Sequence, residues 1–221
     1  MMDRIATFLT LTLIVAIVSC SAYTTDNATF FEFSDSGVAV TEGPFKAAIK
    51  GTAVTINSAG TYVFSGSCAD GSIKVKKATE GTVKVVLAGL TLTAGGAETT
   101  DEEGLTVHTA TSPLLINKEN NVIVEAYAGT INTLTDSPYN NDDTATSAAT
   151  DTENAVLKIK AGSNVTLCGT GTLKLVSYGK NGIKAGSETD LTSLLKIKEL
   201  PVFRNEAPHK ISLILFRNQV I

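Results

Sequence analysis

The stretch AGSNVTLCGTGTLKLVSYGKNGIKAG, residues 161–186, contains two short alternating apolar segments, a run of glycines, and a third segment that opens with Asn-Gly-Ile. Alternation of apolar and polar residues predicts β-strands, because successive side chains of a strand point to opposite faces. Glycine at the breaks predicts tight corners, which often require a positive φ angle. The same pattern recurs along the chain.

Four apolar residues open the repeated units, each after a small or polar pair: Ile73, Leu105, Val156 and Ile183. After the first three of them, the third strand of the unit begins 17 residues later, at Leu90, Val122 and Leu173. A constant unit with connections of variable length is typical of repeat architectures. The sequence therefore predicts stacked units rather than a single irregular sheet.

Three short strands per unit predict an all-β fold, a right-handed single-stranded parallel β-helix. In such a fold, neighbouring turns pair their backbones and every second side chain points into a shared apolar column. Residues 81–94, GTVKVVLAGLTLTA, fit this arrangement because Val83, Val85 and Leu87 lie on one face. A β-sandwich also has short strands and glycine turns, but it does not explain the fixed offset.

The N-terminal end predicts an exported protein. Residues 5–18 form an apolar run that is short for a membrane span, with Arg4 before it and small residues after it. Such a run is typical of a signal peptide, assigned here to residues 1–22. Cys20 lies in a sequence that also suits lipid attachment, and an uncleaved anchor is the other alternative. The expected location is secreted or on the cell surface, with membrane contact only through such an anchor.

The rest of the chain divides by composition. Residues 23–50 are interpreted as an N-terminal extension or cap, and residues 51–192 as the β-helix domain. Residues 193–221 contain no glycine and are basic, unlike the domain before them. They are interpreted as an atypical tail, either a gene-model artefact that truncates the β-helix at its C-terminus or a short cap.

Charge argues against nucleic acid as a partner. Residues 23–192 carry twelve Lys or Arg against nineteen Asp or Glu, a net charge of −7. A phosphate backbone is bound mainly through basic side chains, which this excess of acids disfavours. The sequence predicts no particular oligomeric state.

Acidic residues without basic partners cluster in two loops. The first loop contains Asp101, Glu102 and Glu103, and the second contains Asp136, Asp142, Asp143, Asp151 and Glu153. Both loops join the third strand of one unit to the next unit, so we expect them to leave one corner and stack. Clustered carboxylates favour a neutralising cation, and Ca²⁺ prefers oxygen ligands. These eight residues are the candidate calcium ligands, although acidic loops also serve solubility and the second loop has a composition typical of disorder.

Several phrases resemble one known family. AVTINSAGTYVFSGSCADGSIKV (residues 53–75), VKVVLAGLTLTA (83–94), NTLTDSPYNNDD (132–143) and LCGTGTLKLVSYGKNGIKAG (167–186) resemble, in this order, carbohydrate-binding β-helix proteins of cellulolytic anaerobes. The resemblance covers residues 51–192. It implies a right-handed β-helix, bound calcium and recognition of polygalacturonate or pectin, without a requirement for catalysis.

The resemblance also suggests individual residues. Asp136 and Tyr139 match an acidic-aromatic loop of the family, and Asn154 matches the start of the next turn. Asn181 begins the repeated corner that ends at Lys184, in a position where the family commonly has Asp, which weakens a carboxylate role at this turn.

An acidic body that binds an acidic polysaccharide needs local compensation for like charges. A bridging calcium ion is one solution, and lysines that contact sugar carboxylates directly are another. The candidate lysines are Lys158, Lys180 and Lys184, and the alternative is a solvated face. Tyr139 and Tyr178 are candidates for stacking on sugar rings, and partial burial is the alternative for both.

Two other functions remain open from the sequence. Many pectin-degrading lyases share the β-helix, but residues 23–192 contain no Arg to act as a base, which leaves only lysine. His108 is interpreted as a strand residue, and no Ser-His-Asp arrangement or His/Cys metal spacing is visible, so no catalytic residue is assigned. The third possibility is an adhesin or surface protein whose β-helix is a spacer without specific sugar binding.

Overall fold

The computed structural model describes residues 26–76, 79–186 and 194–197. The backbone of these residues forms β-strands joined by turns and contains no helix, and therefore none long and apolar enough to cross a membrane. The predicted signal peptide, residues 1–22, and residues 198–221 of the predicted tail lie outside the described residues. The interpretations of these two segments stay predictions.

The described residues form eighteen strands. In chain order they are β1 (Ala28–Ser34), β2 (Gly37–Glu42), β3 (Ala47–Lys50), β4 (Ala53–Ile56), β5 (Gly60–Cys68), β6 (Ser72–Val75), β7 (Thr82–Thr93), β8 (Gly96–Thr100), β9 (Thr106–Ala110), β10 (Leu114–Ile116), β11 (Asn121–Ala126), β12 (Ile131–Thr135), β13 (Asp151–Thr152), β14 (Leu157–Ile159), β15 (Asn164–Cys168), β16 (Thr172–Val176), β17 (Ile183–Ala185) and β18 (Leu194–Ile197).

These strands form three sheets with mixed parallel and antiparallel pairing. The first sheet has the order β18-β15-β11-β7-β5-β1-β2, with β12 pairing both β7 and β16. The second has the order β17-β14-β10-β6-β4-β3, and the third the order β13-β9-β8. Antiparallel pairing is confined to β1 with β2, β3 with β4, and β8 with β9 among the described strands. The predicted all-β class is therefore confirmed.

Apolar residues of successive units lie beside one another in the second sheet. Ile73 pairs with Leu114, Leu114 with Leu157, and Leu157 with Ile183, all in parallel register. In the first sheet, Val122 pairs in the same way with Val83 and with Val165. All of these side chains are buried in one hydrophobic cluster. This shared burial explains why alternation is so regular in the sequence.

The predicted second unit is placed wrongly. Leu105 precedes β9, is 36% exposed and pairs with no strand opposite Ile73. Leu114, nine residues later, occupies that position and is fully buried. The predicted start of the next unit, Val156, is one residue too early, because Leu157 is the residue that pairs with Leu114. The error arose because a hairpin, β8 and β9, is inserted between β7 and β10, so the offset of 17 joined different strands.

A glycine corner divides β7 into two halves with different partners. Before Gly89, β7 pairs with β11, and after it β7 pairs with β12. Gly89 has φ 85°, a conformation that costs other residues energy. Asn132 Oδ1 accepts the amide hydrogens of Gly89 and Leu90, at 2.9 and 3.0 Å. Asn132 therefore fixes this corner from the next unit.

The third sheet brings the two acidic loops together. The β8–β9 hairpin carries the first loop at its turn, and β13 belongs to the second loop. Asp151 of β13 pairs with Thr109 of β9 in parallel. The loops therefore pack side by side beside the second sheet, and this arrangement positions the residues of the candidate site.

Candidate functional site

Lysines occupy the same outward position on three strands of the second sheet, β6, β14 and β17. Lys74, Lys158 and Lys184 each follow a core residue by one position, so alternation turns them away from the core. Lys158 pairs with Lys184, while Leu115 lies between Lys158 and Lys74. We call Lys74, Lys158 and Lys184 the lysine column. Lys158 and Lys184 were predicted from the sequence as sugar-binding candidates. Lys74 was not, although it directly follows the core residue Ile73 as the other two lysines follow Leu157 and Ile183.

Lys158 is the most unusual charge in this group. Its side chain is partly buried, and burial followed by the nearby charge of Lys184 lowers the pKa of Lys158 to about 8. No hydrogen bond or ion pair joins its ammonium group to another of the described residues. The carboxylates of Glu153 and Asp142 attract this ammonium without direct contact, but burial and the charge of Lys184 outweigh them, and an anionic ligand would add compensation.

Lys180 has different surroundings. Its Nζ atom lies 2.8 Å from Asp142 Oδ1 and 2.6 Å from Asp143 Oδ1. Burial opposes the charge of Lys180, but the hydrogen bonds to both carboxylates outweigh it and raise the lysine's pKa. Burial also acts against the charge of Asp142, and the contacts with Lys180 and Asn154 outweigh it and lower the carboxyl pKa. Lys180 therefore binds both predicted calcium ligands, Asp142 and Asp143, and compensates part of their negative charge.

Asp136 is buried inside the second loop. Its Oδ1 accepts hydrogen bonds from the backbone amides of Tyr178 and Gly179, at 2.7 and 3.2 Å. Its Oδ2 accepts a hydrogen bond from Asn140 Nδ2 at 3.1 Å. Burial raises the pKa of Asp136 although all three hydrogen bonds act in the opposite direction. The structure thus uses this predicted calcium ligand to join the loop to the unit that contains Tyr178.

Asparagines hold the rest of the second loop. Asn140 Oδ1 accepts the amide hydrogens of Glu153 and Asn154, at 3.0 and 2.7 Å. The side chain of Asn154, a predicted sugar-binding residue, is buried and donates a hydrogen bond to Asp142 Oδ2 at 2.9 Å. Asn181, also buried, donates to the Asn154 carbonyl at 2.7 Å. Both predicted sugar-binding asparagines therefore have structural partners within the protein.

The first acidic loop is tied to the second by Asp101. Its Oδ1 accepts the amide hydrogens of Glu103 and Leu105, at 3.0 and 2.8 Å. Its Oδ2 accepts the Ser147 hydroxyl at 2.6 Å, and the hydrogen bond from Ser147 is the main cause of a lowered Asp101 pKa. The side chains of Glu102 and Glu103 remain exposed at the hairpin turn.

The carboxylates do not converge on one point. Among the described residues, no group of three or more His, Cys, Asp or Glu side chains is arranged to hold a metal ion. Glu153 Oε1 lies 2.7 Å from Lys160 Nζ, and Asp151 is exposed. Of the candidate calcium ligands, Asp136, Asp142, Asp143 and Glu153 are therefore held by lysines or amide groups, and the calcium site stays a prediction.

His108 connects the hairpin with the second loop. It lies in β9, as predicted, and its ring is buried. Nδ1 lies 2.8 Å from the Asn141 carbonyl and Nε2 lies 2.8 Å from Glu98 Oε2. Since both neighbours are acceptors, only the doubly protonated ring donates to both. The hydrogen bond to Asn141, followed by that to Glu98, raises the pKa of His108.

The two candidate tyrosines are placed differently. The Tyr139 ring packs against His108 at a centroid distance of 5.5 Å and is partly buried. The Tyr178 side chain is 53% exposed. Of the two, only Tyr178 presents a largely open ring face for a ligand.

An open cleft of about 530 Å³ lies next to the lysine column. Its polar lining residues are Asp70, Lys74, Thr109, Thr111, Asp151 and Glu153, and residues 95–97 form part of its wall. Lys74 belongs to both the cleft and the lysine column. The cleft was not predicted from the sequence, because residues such as Asp70 and Thr109 are far apart in the chain and come together only on folding.

Residues 50–197 match the family described as carbohydrate-binding domain-containing protein. The chain belongs to this family. The description of this family names carbohydrate binding in general and names no particular residues. No curated protein matches the chain.

A solved structure, the gadolinium derivative of a polysaccharide lyase-like protein from C. thermocellum, is similar in fold to this carbohydrate-binding chain. The sequences are 23% identical, the TM-score is 0.54, and the match covers 80% of this chain. This chain spans 61% of the length of that protein. The likeness concerns the fold alone.

Proposed function

We propose that the lysine column binds the carboxylate groups of an acidic polysaccharide, a polyuronate such as polygalacturonate or pectin. The observation that carries this proposal is Lys158, a partly buried ammonium next to Lys184 with no carboxylate of the described residues in contact. A uronate would supply the missing negative charge. Charge-assisted hydrogen bonds of this kind are stronger than neutral ones.

Local charge, rather than net charge, supports this choice of ligand. Residues 23–192 carry a net charge of −7, which opposes an anionic chain at long range. At the second loop, however, Asp142 and Asp143 are in direct contact with Lys180, and Glu153 is in direct contact with Lys160. Glu153 and Asp142 attract Lys158 only without direct contact, so its ammonium group keeps the capacity to bind a ligand carboxylate.

We further propose that the strands wind as a right-handed parallel β-helix. The parallel pairing of Leu114 with both Ile73 and Leu157 supports it, since these partners are separated by 41 and 43 residues of chain. Successive turns of similar shape would place the lysines of the column along a line that runs across the strands. An extended polysaccharide would then follow the column across several strands.

Secretion completes the proposal, because an extracellular polysaccharide is accessible to an exported protein. The apolar run at residues 5–18 supports export. Detection of the protein in the culture medium, cleaved after residue 22, would test this part.

The binding proposal is tested by calorimetry of the full chain with oligogalacturonate. Lys158→Met and Lys184→Met should each weaken binding about tenfold or more, because each removes a charge-assisted contact. Lys174→Met is the matched control, since Lys174 is an exposed lysine of β16 in another sheet. Equal weakening by all three substitutions would mean non-specific charge attraction and would contradict the proposal.

The pH dependence of binding provides a second readout. The ligand needs the protonated form of Lys158, whose pKa is about 8 in the absence of ligand. Affinity should therefore be highest below this pH and fall as pH rises through it. The Lys158→Met variant should lose most of this dependence, and an unchanged pH profile would exclude Lys158 from the contact.

Calcium stays a prediction of the family resemblance. The contact proposed here runs through lysine, so polygalacturonate binding should survive an excess of chelator. Loss of binding on chelation, and its return with Ca²⁺, would instead support an ion held by acids such as Asp151.

The properties of Lys158 also support a second candidate, a polysaccharide lyase. A lysine with a pKa near 8 is a competent general base for removing a proton beside a uronate carboxylate. Ultraviolet absorbance of unsaturated products from polygalacturonate would establish that activity. Retained sugar binding without such products would leave binding alone, and no binding to any acidic glycan would favour a structural adhesin.

A further inference from the structure

The cleft beside the lysine column has the opposite charge. Asp70, Asp151 and Glu153 contribute three carboxylates to its lining, whereas Lys74 contributes one ammonium group. Glu153 is paired with Lys160, but the Asp151 side chain has no hydrogen bond to another of the described residues. A second uronate entering this cleft would meet like charge at short range, which is unfavourable.

The same groups suit an uncharged sugar. Asp70 Oδ1 accepts the Gly95 amide hydrogen at 3.0 Å, and this contact fixes the direction of the carboxylate while its second oxygen remains available. Asp151 has both oxygens available, and the hydroxyl groups of Thr109 and Thr111 add further hydrogen-bonding capacity. Carboxylates accept hydrogen bonds from sugar hydroxyls without a charge conflict. The volume of about 530 Å³ lies within the range of small-ligand sites.

The position of the cleft relative to Lys158 links the two surfaces. Lys74 lines the cleft, and it is separated from Lys158 by one strand, β10. Two strand spacings correspond to about 10 Å, a distance that a disaccharide spans. A sugar unit bound at Lys158 and one bound in the cleft would be about this far apart, with the buried side chain of Leu115 between them.

We infer that the ligand is a mixed polysaccharide, in which a uronic acid at Lys158 and Lys184 is joined to an uncharged sugar whose hydroxyl groups bind in the cleft. This inference rests on the proposed binding of uronates by the lysine column. It adds a selectivity that the lysines alone do not give, because the cleft acids weaken the binding of a chain that is charged at every unit without preventing it.

The test compares three probes with the full chain by calorimetry: a homopolymeric oligouronate, an oligosaccharide that alternates uronate with a neutral hexose, and a neutral oligosaccharide. The alternating probe should bind about tenfold or more tighter than the homopolymer. The neutral probe should bind more weakly than both. Low salt increases the preference and high salt decreases it, because ions screen the repulsion that creates it.

Variants locate the selectivity in the cleft. The double variant Asp70→Asn, Asp151→Asn should bind the homopolymer more tightly and reduce the preference to about threefold or less, because the repulsion is removed. Glu42→Gln on β2 neutralises an exposed acid in another sheet and should leave the preference unchanged. The salt dependence of the unmodified protein provides the same evidence if the double variant is unstable.

The outcomes separate this inference from the proposed function. A homopolymer that binds as tightly as the alternating probe, or a preference that salt does not change, overturns the inference and leaves the lysine column as a uronate site. Failure of both acidic probes to bind overturns the inference and the proposed function together.

Discussion

Asp136 illustrates how one buried side chain organises the second loop. Its carboxylate accepts hydrogen bonds from two backbone amides and from Asn140. Asp136→Ala would leave two partly buried backbone amides and one hydrogen of the buried Asn140 amide group without acceptors, and we expect the free energy of unfolding to fall by about 2–4 kcal/mol. Chemical denaturation measures this change.

Asp143→Ala is the matched control for that substitution. Asp143 is exposed and its pair with Lys180 is a surface ion pair, so the loss should be below about 1 kcal/mol. Equal losses for the two variants would show that the amide contacts of Asp136 contribute little.

Among the lysines, residue type alone was a poor guide. Lys158, Lys180 and Lys184 look equivalent in the sequence, and all three were interpreted as sugar-binding candidates. Folding brings Asp142 and Asp143 to Lys180, but it brings no carboxylate of the described residues into contact with Lys158. The pairing depends on where a long loop returns to the sheet, which short-range patterns do not specify.

At the scale of elements, the register of β10 is the feature most open to test. Leu114→Ala should destabilise the protein by about 2–5 kcal/mol, because Leu114 is fully buried between Ile73 and Leu157. Leu105→Ala, at the exposed residue before β9, should cost less than about 1 kcal/mol. Thermal or denaturant unfolding compares the two, and the reverse order would contradict the register.

The connection between β9 and the second loop should depend on pH through His108. The pKa of His108 is raised by its contacts with Asn141 and Glu98, so the stabilisation is complete below the ordinary value of about 6.5 and is lost as pH rises through the raised value. The groups facing the ring are Glu98 from β8 and Tyr139, Asn141 and Thr144 from the second loop.

Hydrogen exchange and unfolding measurements test this connection. Amides of residues 141–150 should exchange faster at alkaline pH than near pH 6, after correction for intrinsic rates. His108→Ala should destabilise the protein more at about pH 6 than at about pH 9, because only the protonated ring makes both contacts. A pH-independent difference would mean that His108 acts through packing alone.

At the scale of the whole molecule, parallel pairing converts a one-dimensional repeat into a surface. Lys158 and Lys184 are 26 residues apart in sequence but directly paired between β14 and β17. The two acidic loops are likewise joined through Asp101 and Ser147. Under the proposed function, one polysaccharide that crosses β14 and β17 would contact Lys158 and Lys184 together.

The sequence by itself determined the all-β class, the buried faces and the outward position of the lysines, because alternation and glycine corners are local properties of the chain. Only the tertiary structure decided that Leu114 pairs with Ile73, that Lys180 is neutralised by Asp142 and Asp143, and that a cleft opens beside Lys74. These features depend on loops of unequal length that return to the same sheet. Their partners are therefore set by contacts between residues distant in sequence, which local periodicity does not encode.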